Sequence, residues 1–217
     1  MDLSSLGTVV VLVRHAVTPH TNTILTGRAP GVSLSDEGRA QADALAKRLA
    51  QLPITALYAS PIERTMETAG AIGAACGLSV QQHVGVIEVD YGDWTGGVLA
   101  ELAQHDLWKQ VQRSPSRVRF PGGESLAEMQ TRVVHAIDEI AAQHRGEVIV
   151  IVSHADPIRA AVAAYTGLHL DLYHRLIILP ASVTALALSD EITMLLTCND
   201  TGALPGTGAA TTPKEPA

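Results

Sequence analysis

Short apolar runs alternate along the chain with longer segments in which apolar positions recur at helical spacing. The run Val9–Val13 (VVVLV) is apolar at every position, as expected for a strand that helices cover on both faces. Val148–Val152 (VIVIV) has the same character, and Thr55–Ala59 is a shorter run of this kind. Alternation of such strands with helices is typical of an α/β layer fold. The pattern therefore predicts a three-layer sandwich, with a mostly parallel central sheet and helices on both of its faces.

The remaining elements follow from periodicity. After the last of these strands a helix is predicted from Pro157, and then Leu176–Leu188 and Ile192–Cys198 look like a closing β pair. Four more helices are predicted between the first and last apolar runs, at 36–51, 61–75, 98–111 and 125–144.

Three predicted helix starts carry capping residues. Ser60–Glu63 (SPIE) and Ser125–Glu128 (SLAE) both have the serine and glutamate spacing of a capping box. Asp156 followed by Pro157 supplies a cap and a first helical residue. Caps alone explain these residues, so Ser60, Ser125 and Asp156 are interpreted as structural rather than catalytic.

Composition adds limits on size and partners. The 217 residues are 47% hydrophobic and 17% charged, and no apolar run approaches the roughly 18 residues of a membrane-spanning helix. From Asn199 the chain turns to Gly, Ala, Thr and Pro, which predicts one domain over 1–198 and a flexible tail over 199–217. A net charge of −7 argues against nucleic acid or an anionic membrane surface as partner. The N-terminus lacks a basic leader, which favours a cytoplasmic location, and the assembly is left open between a monomer and a homodimer.

Basic side chains follow the strands at the places where ligands gather in open parallel sheets. Arg14 and His15 end the first apolar run, and His154 closely follows Val148–Val152. Arg64 lies near the start of the helix after Thr55–Ala59 and can reach the same edge. Two arginines and two histidines in an acidic protein form a local cationic pocket, and guanidinium groups bind phosphate oxygens in pairs. A phosphate dianion is the expected ligand.

The histidines indicate chemistry beyond binding. An imidazole nitrogen is a nucleophile near neutral pH and can accept a phosphoryl group, which splits a hydrolysis into two easier transfers. No HxH, HExxH or clustered Asp/His spacing is present, so neither a metal nor another cofactor is predicted, and cationic side chains must stabilise the transition state. A departing alkoxide needs a proton, and Glu88 is the candidate acid because its apolar flanks favour the neutral carboxyl.

These residues resemble the histidine phosphatase superfamily, in the branch that includes phosphoglycerate mutases and broad-specificity phosphatases. The resemblance spans roughly residues 9–161 and implies a phosphoglycerate mutase-like fold. It rests on five motifs in order: Leu12–Thr18 (LVRHAVT), Tyr58–Ala69 (YASPIERTMETA), Glu88–Trp94 (EVDYGDW), Pro121–Ser125 (PGGES) and Val152–Asp156 (VSHAD). It implies that His15 is the nucleophile, that Glu88 is first the acid and then the base, and that Arg14, Arg64 and His154 hold the phosphoryl group.

Several positions depart from the family pattern. Ala16 stands where glycine is common. Thr21 occupies the place of an asparagine that often lies six residues after the nucleophile, and Asn22 follows it. Thr21, Asn22 and the loop residue Arg28 are therefore added as candidate phosphate contacts. The other histidines lack ordered spacing and are interpreted as surface or satisfied residues; His20, near the first motif, is interpreted as exposed to solvent.

The segment 96–121 is predicted to be a variable cap over the site, with arginines at 113, 117 and 119 toward its end. Tyr91, Trp94 and Trp108 are candidates for lining the substrate pocket, or for the core. The sequence thus predicts a metal-independent phosphatase for a small phosphorylated substrate. A phosphoglycerate mutase-type phosphomutase using 2,3-bisphosphoglycerate is the first alternative, and a non-catalytic phosphate-ligand binding protein is the second.

Overall fold

The protein is described from a computed structural model that covers residues 7–202. The predicted α/β layer architecture is confirmed, with a six-stranded sheet at its centre. In chain order, the strands and α-helices of these residues are β1 (Thr8–Arg14), β2 (Ile24–Leu25), α1 (Asp36–Leu49), β3 (Ile54–Ala59), α2 (Glu63–Cys76), β4 (Val80–Gln82), β5 (Gly97–Val98), α3 (Leu99–Leu102), α4 (Asp106–Arg113), α5 (Leu126–Gln143), β6 (Val148–Ser153), α6 (Ala155–Tyr165), β7 (Val183–Leu188) and β8 (Thr193–Asp200).

The sheet has the strand order β4-β3-β6-β1-β7-β8. The first four strands are parallel, because β3 pairs with β4 and β6, and β6 pairs with β1. Strand β7 runs antiparallel to β1, and β8 runs antiparallel to β7, which confirms the predicted closing pair. The carboxyl ends of β3, β6 and β1 therefore lie side by side.

Helices cover the sheet on both faces, and alternate residues of each central strand point to opposite faces. On one face, Val11 of β1 and Val150 of β6 pack with residues of α1 and α2 such as Leu45 and Ile72. On the other face, neighbouring strand residues join a larger apolar cluster with α5 and α6. Burial on both sides explains why Val9–Val13 of β1 and Val148–Val152 of β6 are apolar at every position.

The structure differs from the predicted elements in several places. The strand predicted over Leu176–Leu188 begins only at Val183, and the two-residue strands β2 and β5 were not predicted. The segment predicted as one helix over 98–111 forms two, α3 and α4, with His105 as the N-cap of the second. Strand β4 was not predicted, because it is a short edge strand ending in two exposed glutamines. Strand β8 continues through Asn199 and Asp200, which were assigned to the tail, and residues 203–217 of that tail lie outside the described residues.

Across residues 7–202, the structure contains no helix with the length and apolar character that crossing a membrane would require.

Candidate active site

Three adjacent strands deliver their polar residues to one edge of the sheet. Arg14 ends β1 and pairs in register with Ser153, the last residue of β6, so His15 and His154 emerge next to each other. Their ring centroids are 5.3 Å apart, at an angle of 64°. Ser60 follows β3, and Arg64 lies in the first turn of α2, where it contacts both histidine rings. The predicted gathering of these groups at the strand ends is observed.

The His15 ring is buried, with 6% of the residue exposed, and each of its nitrogens has a defined role. Nδ1 lies 2.8 Å from the carbonyl oxygen of Ala16, which can only accept, so Nδ1 carries the proton and donates. Nε2 therefore keeps its lone pair, and it accepts a hydrogen bond of 3.2 Å from Arg64 Nε. Burial, followed by the charges of Arg64 and Arg14, lowers the pKa of His15 well below its ordinary value. The ring is thus a neutral imidazole whose Nε2 lone pair faces Arg64.

His154 is fully buried and is held from two sides. Arg64 Nη2 lies 3.1 Å from its Nδ1 and must donate, so Nε2 carries the proton and donates to Ser60 Oγ at 2.8 Å. Burial, then Arg64 and His15, lower the pKa of His154 well below its ordinary value.

The predicted capping box at Ser60–Glu63 is wrong. Helix α2 begins at Glu63 after Ile62, and its N-cap makes no side-chain hydrogen bond. Ser60 instead orients a histidine of the site, a role that its position just after β3 could have suggested. The capping box at Ser125–Glu128 is confirmed.

Arg64 and Arg14 supply the positive charge of the site from buried positions. Only 1% of Arg64 is exposed, and its Nη2 also donates to the carbonyl of Gly27 at 2.7 Å. Arg14 Nη1 donates to the carbonyl of Ile178 at 2.7 Å. Each guanidinium nevertheless keeps one buried nitrogen, Arg14 Nε and Arg64 Nη1, without a hydrogen-bond partner among the described residues. A buried donor without a partner is costly, and an oxyanion bound between the two arginines would satisfy both.

Glu88 lies beside His154, with Oε2 3.8 Å from Nδ1 of that ring. Its Oε1 accepts a hydrogen bond of 3.0 Å from the backbone N–H of Val89. The pKa of Glu88 is raised to about 7, first by burial and then by the charge of Asp156, while Arg64, the Val89 N–H and Arg14 oppose the rise. Such a carboxyl is protonated in much of the neutral range and can donate a proton, as predicted for this residue.

Arg28 does not lie at the phosphate position that was predicted for it. Its Nε donates to the backbone carbonyl of Glu88 at 2.8 Å, Nη2 donates to Glu124 at 2.8 Å, and Nη1 lies 3.4 Å from Asp90. Glu124, from the PGGES motif, also accepts from the Asp90 N–H and from Arg132. Arg28 therefore supports the segment that carries Glu88, and it does not line the pocket.

Gly92 allows this segment to approach the PGGES motif closely. Its φ of 53° lies in the left-handed region, and an added Cβ would meet the carbonyl oxygen of Pro121 at 2.1 Å. The Asp93 N–H donates to that same carbonyl at 2.8 Å. Two motifs separated in sequence thus form one rigid support for Glu88.

A cavity of about 450 Å³ opens over these groups. Thr21 and Asn22 line it, so both lie where the sequence placed them, and their contact with phosphate stays a prediction. The predicted cap contributes part of the wall, whereas its arginines at 113, 117 and 119 do not line the cavity. The apolar wall residues are Ile24, Leu25, Leu99, Trp108, Val111 and Phe120.

Four further polar or aromatic residues of the wall are Tyr91, His20, His174 and Asp156. Trp94 is buried and stacks near Trp108, so it belongs to the core. His20 is partly buried in the cavity wall rather than freely exposed. His174 Nε2 lies 3.0 Å from the carbonyl of Val111 and so is satisfied as predicted, yet it also faces the cavity.

Asp156 is not the predicted helix cap. The N-cap of α6 is His154, without a side-chain cap bond, and Asp156 lies in the first turn. Its carboxylate accepts from Tyr91 Oη at 2.7 Å and from Arg159 Nη1 at 2.9 Å. These partners come from distant and neighbouring sequence positions, and nothing in the local pattern indicated the Tyr91 contact.

Within residues 7–202, no three His, Cys, Asp or Glu side chains come together as a group that could hold a metal ion.

Comparison with known proteins agrees with this geometry. A family model of the histidine phosphatase superfamily, branch 1, matches residues 10–201. Over 170 residues the chain is 35% identical to phosphoserine phosphatase 1 of Hydrogenobacter thermophilus, covering 76% of this chain and 79% of that protein. It is also 35% identical over 156 residues to phosphoglycerate mutase-like protein 4 of Arabidopsis thaliana, covering 70% of this chain and 68% of that protein.

Solved structures show the same architecture. YhfR of Bacillus stearothermophilus superposes with a TM-score of 0.80 at 26% identity, covering 89% of this chain and 97% of that one. A mycobacterial glucosyl-3-phosphoglycerate phosphatase superposes with the same TM-score at 24% identity, covering 89% and 99%, and shares the fold.

Proposed function

The chain belongs to the histidine phosphatase superfamily and is a histidine-type phosphatase, and we propose that it works through a phosphohistidine formed on His15. The observation that carries this proposal is the state of His15. Its Nε2 keeps a lone pair beside Arg14 and Arg64, and each of these arginines has one buried N–H donor without a partner. A phosphoryl group placed there would satisfy both donors and face the nucleophile.

The first step transfers the phosphoryl group to the enzyme. Nε2 of His15 forms a bond to phosphorus while the bond from phosphorus to the ester oxygen breaks, and Glu88 gives its proton to the departing alkoxide. The N–H donors of Arg14 and Arg64 stabilise the charge on the phosphoryl oxygens, which supplies transition-state stabilisation from fixed groups. His154 accepts a hydrogen bond from Arg64 and so helps to hold that guanidinium in place.

The second step returns the enzyme to its starting state. Glu88, now a carboxylate, takes a proton from water as the water oxygen attacks phosphorus and the bond to Nε2 breaks. Inorganic phosphate leaves, His15 is again a neutral imidazole, and Glu88 is again protonated. One carboxyl can serve both steps because its pKa lies near neutrality.

The mutase alternative is not favoured. A mutase that uses 2,3-bisphosphoglycerate must hold several negative charges outside the transferred phosphoryl group, which calls for additional cationic residues. Beyond Arg14 and Arg64, the cavity wall has one more arginine, Arg159, and it is already paired with Asp156. The non-catalytic alternative is opposed by the presence of a nucleophile, an acid and phosphate ligands in one cavity.

The substrate is a small phosphate monoester, which a panel of such esters would identify. Relatives and structural neighbours are named for phosphoserine and glucosyl-3-phosphoglycerate, so these two esters belong in the first panel together with 3-phosphoglycerate. Running 3-phosphoglycerate with and without 2,3-bisphosphoglycerate separates hydrolysis from mutase activity. A cytoplasmic location and a homodimer both stay predictions.

The test is to trap the intermediate. Rapid alkaline quench after mixing with a radiolabelled phosphate ester should leave acid-labile, base-stable label on His15. His15→Ala should carry no label, whereas His135→Ala, which changes an exposed histidine outside the cavity, should be labelled like the unmodified chain. Active hydrolysis with no label on any histidine would refute the two-step route.

A further inference from the structure

Asp156 is a partly buried carboxylate in the cavity wall that the two-step reaction does not require. Its side chain is 16% exposed and lies in the first turn of α6, two residues after His154. Oδ2 accepts from Tyr91 Oη at 2.7 Å, and Oδ1 accepts from Arg159 Nη1 at 2.9 Å. It makes no cap bond, so helix capping does not account for a charge in this place.

The hydrogen bond from Tyr91 joins the segment that carries Glu88 to α6. Tyr91 lies three residues after Glu88, is 5% exposed and packs edge to face on Phe120 with ring centroids 4.9 Å apart. Its hydroxyl reaches Asp156 across 65 residues of sequence. The segment that carries Glu88 is therefore supported at two points: at the Glu88 backbone by Arg28, which Glu124 holds, and at Tyr91 by Asp156.

Asp156 also acts on Glu88 through its charge. The charged and titratable groups around Glu88 come from every element packed against it: Arg14 of β1, Arg64 of α2, His154 and Asp156 at the start of α6, Tyr91 of its own segment, and Tyr173. Burial is the largest cause of the raised pKa of Glu88, and Asp156 is the neighbouring charge that raises it further, against Arg64 and Arg14. A negative charge near a buried carboxyl disfavours ionisation of that carboxyl, so Asp156 favours the protonated form of Glu88.

We propose that Asp156 is a positioning residue for Glu88, which holds the acid against α6 through Tyr91 and whose negative charge keeps the Glu88 carboxyl protonated until the leaving group needs its proton. This inference rests on the proposed function, because it assigns Asp156 a part in the first transfer step. It predicts that the charge of Asp156, rather than only its shape, extends activity toward higher pH.

The test compares pH profiles. Asp156→Asn keeps the size of the side chain and an oxygen that can accept from Tyr91, but removes the charge. With a phosphate ester of a simple alkyl alcohol, the pH profile of kcat/KM reports the pKa of the essential acid in the free enzyme. In Asp156→Asn the fall of kcat/KM at alkaline pH, the alkaline limb of this profile, should begin about one pH unit lower than in the unmodified chain. With p-nitrophenyl phosphate, whose leaving group needs little help from an acid, the limb should be far less marked in both proteins.

Controls separate charge from structure. Asp156→Glu restores the charge and should return the limb toward its original position. Asp138→Asn is a matched control, because Asp138 accepts from Tyr165 Oη at 2.7 Å in an equivalent pair outside the cavity, and its limb should not move. A purely structural role for Asp156 would lower kcat/KM equally at every pH.

Three results would overturn the proposal. The alkaline limb of kcat/KM could stay at the same pH in Asp156→Asn, it could shift by the same amount in Asp138→Asn, or it could be equally marked with the alkyl ester and with p-nitrophenyl phosphate. Should Asp156→Asn fail to fold, infrared difference spectra between the unmodified chain and Glu88→Gln give the answer directly. A Glu88 carboxyl already ionised at pH 6 would refute the proposal. Failure of the proposed function looks different, since the unmodified chain would then carry no label on His15 after the rapid alkaline quench.

Discussion

Removing the hydroxyl of Ser60 should weaken catalysis through a residue that touches neither substrate nor nucleophile. Ser60 Oγ accepts a hydrogen bond of 2.8 Å from the N–H at His154 Nε2, and both residues are fully buried. The hydrogen bond leaves Nδ1 as the nitrogen that faces Arg64. In Ser60→Ala this orientation loses its support, and water has little access to replace the acceptor.

The magnitude follows from the buried donor. An unsatisfied buried N–H costs about 1 to 3 kcal/mol, and each 1.4 kcal/mol is a factor of ten in rate or binding. We therefore expect kcat/KM to fall roughly 10- to 100-fold as His154 turns from its productive orientation. The same loss destabilises the fold, so the melting temperature should also fall by about 2–4 °C for each kcal/mol.

Ser125→Ala is the matched control. Ser125 is a true helix cap, bonded to the backbone N–H of Glu128, and its removal costs about 1 kcal/mol. Both variants should therefore melt at lower temperatures, yet only Ser60→Ala should lose activity. The assay is kcat/KM with p-nitrophenyl phosphate, well below either melting temperature, alongside thermal unfolding by circular dichroism. Equal activity in the two folded variants would refute the role given to Ser60.

Glu88→Gln should slow hydrolysis of esters with poor leaving groups by about 10² to 10⁴ and spare p-nitrophenyl phosphate more; equal losses would argue against a proton donor. In urea unfolding at pH 8, the free energy of unfolding of Glu88→Gln should exceed that of the unmodified chain by up to about 3 kcal/mol, and at pH 4 the two should be equal. The reason is that a carboxyl with a pKa of about 7 in the folded state and 4.5 in the unfolded state destabilises the fold only as pH rises through that range. An equal gain at both pH values would contradict this. Arg64→Lys should raise the inhibition constant of inorganic phosphate, since the guanidinium fork is lost, whereas Arg28→Lys should leave it unchanged; a rise in Arg28→Lys would place Arg28 at the phosphate. EDTA should not change the rate, because Arg14 and Arg64 supply the charge; strong inhibition would mean that a metal takes part.

Much of the architecture could be predicted from the chain because its pattern is unambiguous. Strands β1 and β6 are buried on both faces, so their runs Val9–Val13 and Val148–Val152 are apolar throughout, and the polar residues that follow stand out. Neighbouring parallel strands end at the same edge of the sheet, which is why the sequence alone could place His15 and His154 close together. The short edge strand β4 has no such pattern and was missed.

Local patterns misled where a residue's partner is distant. SPIE and SLAE have the same capping spacing, yet only the second caps a helix, because packing starts α2 at Glu63 and leaves Ser60 facing His154. Arg28 could have been a phosphate ligand by its position in the first loop. Its actual partner Glu124 lies 96 residues away, and only folding brings the two together.

The sequence by itself determined the chemistry of the site: which strands carry the nucleophile and its companions, and that an acid stands among apolar neighbours. Those choices are local, since strand burial and side-chain type are properties of short segments. Only the tertiary structure decided the protonation and support of these groups. Which nitrogen of each histidine keeps its lone pair, and how far Asp156 and burial raise the pKa of Glu88, depend on distances between segments that no spacing along the chain encodes.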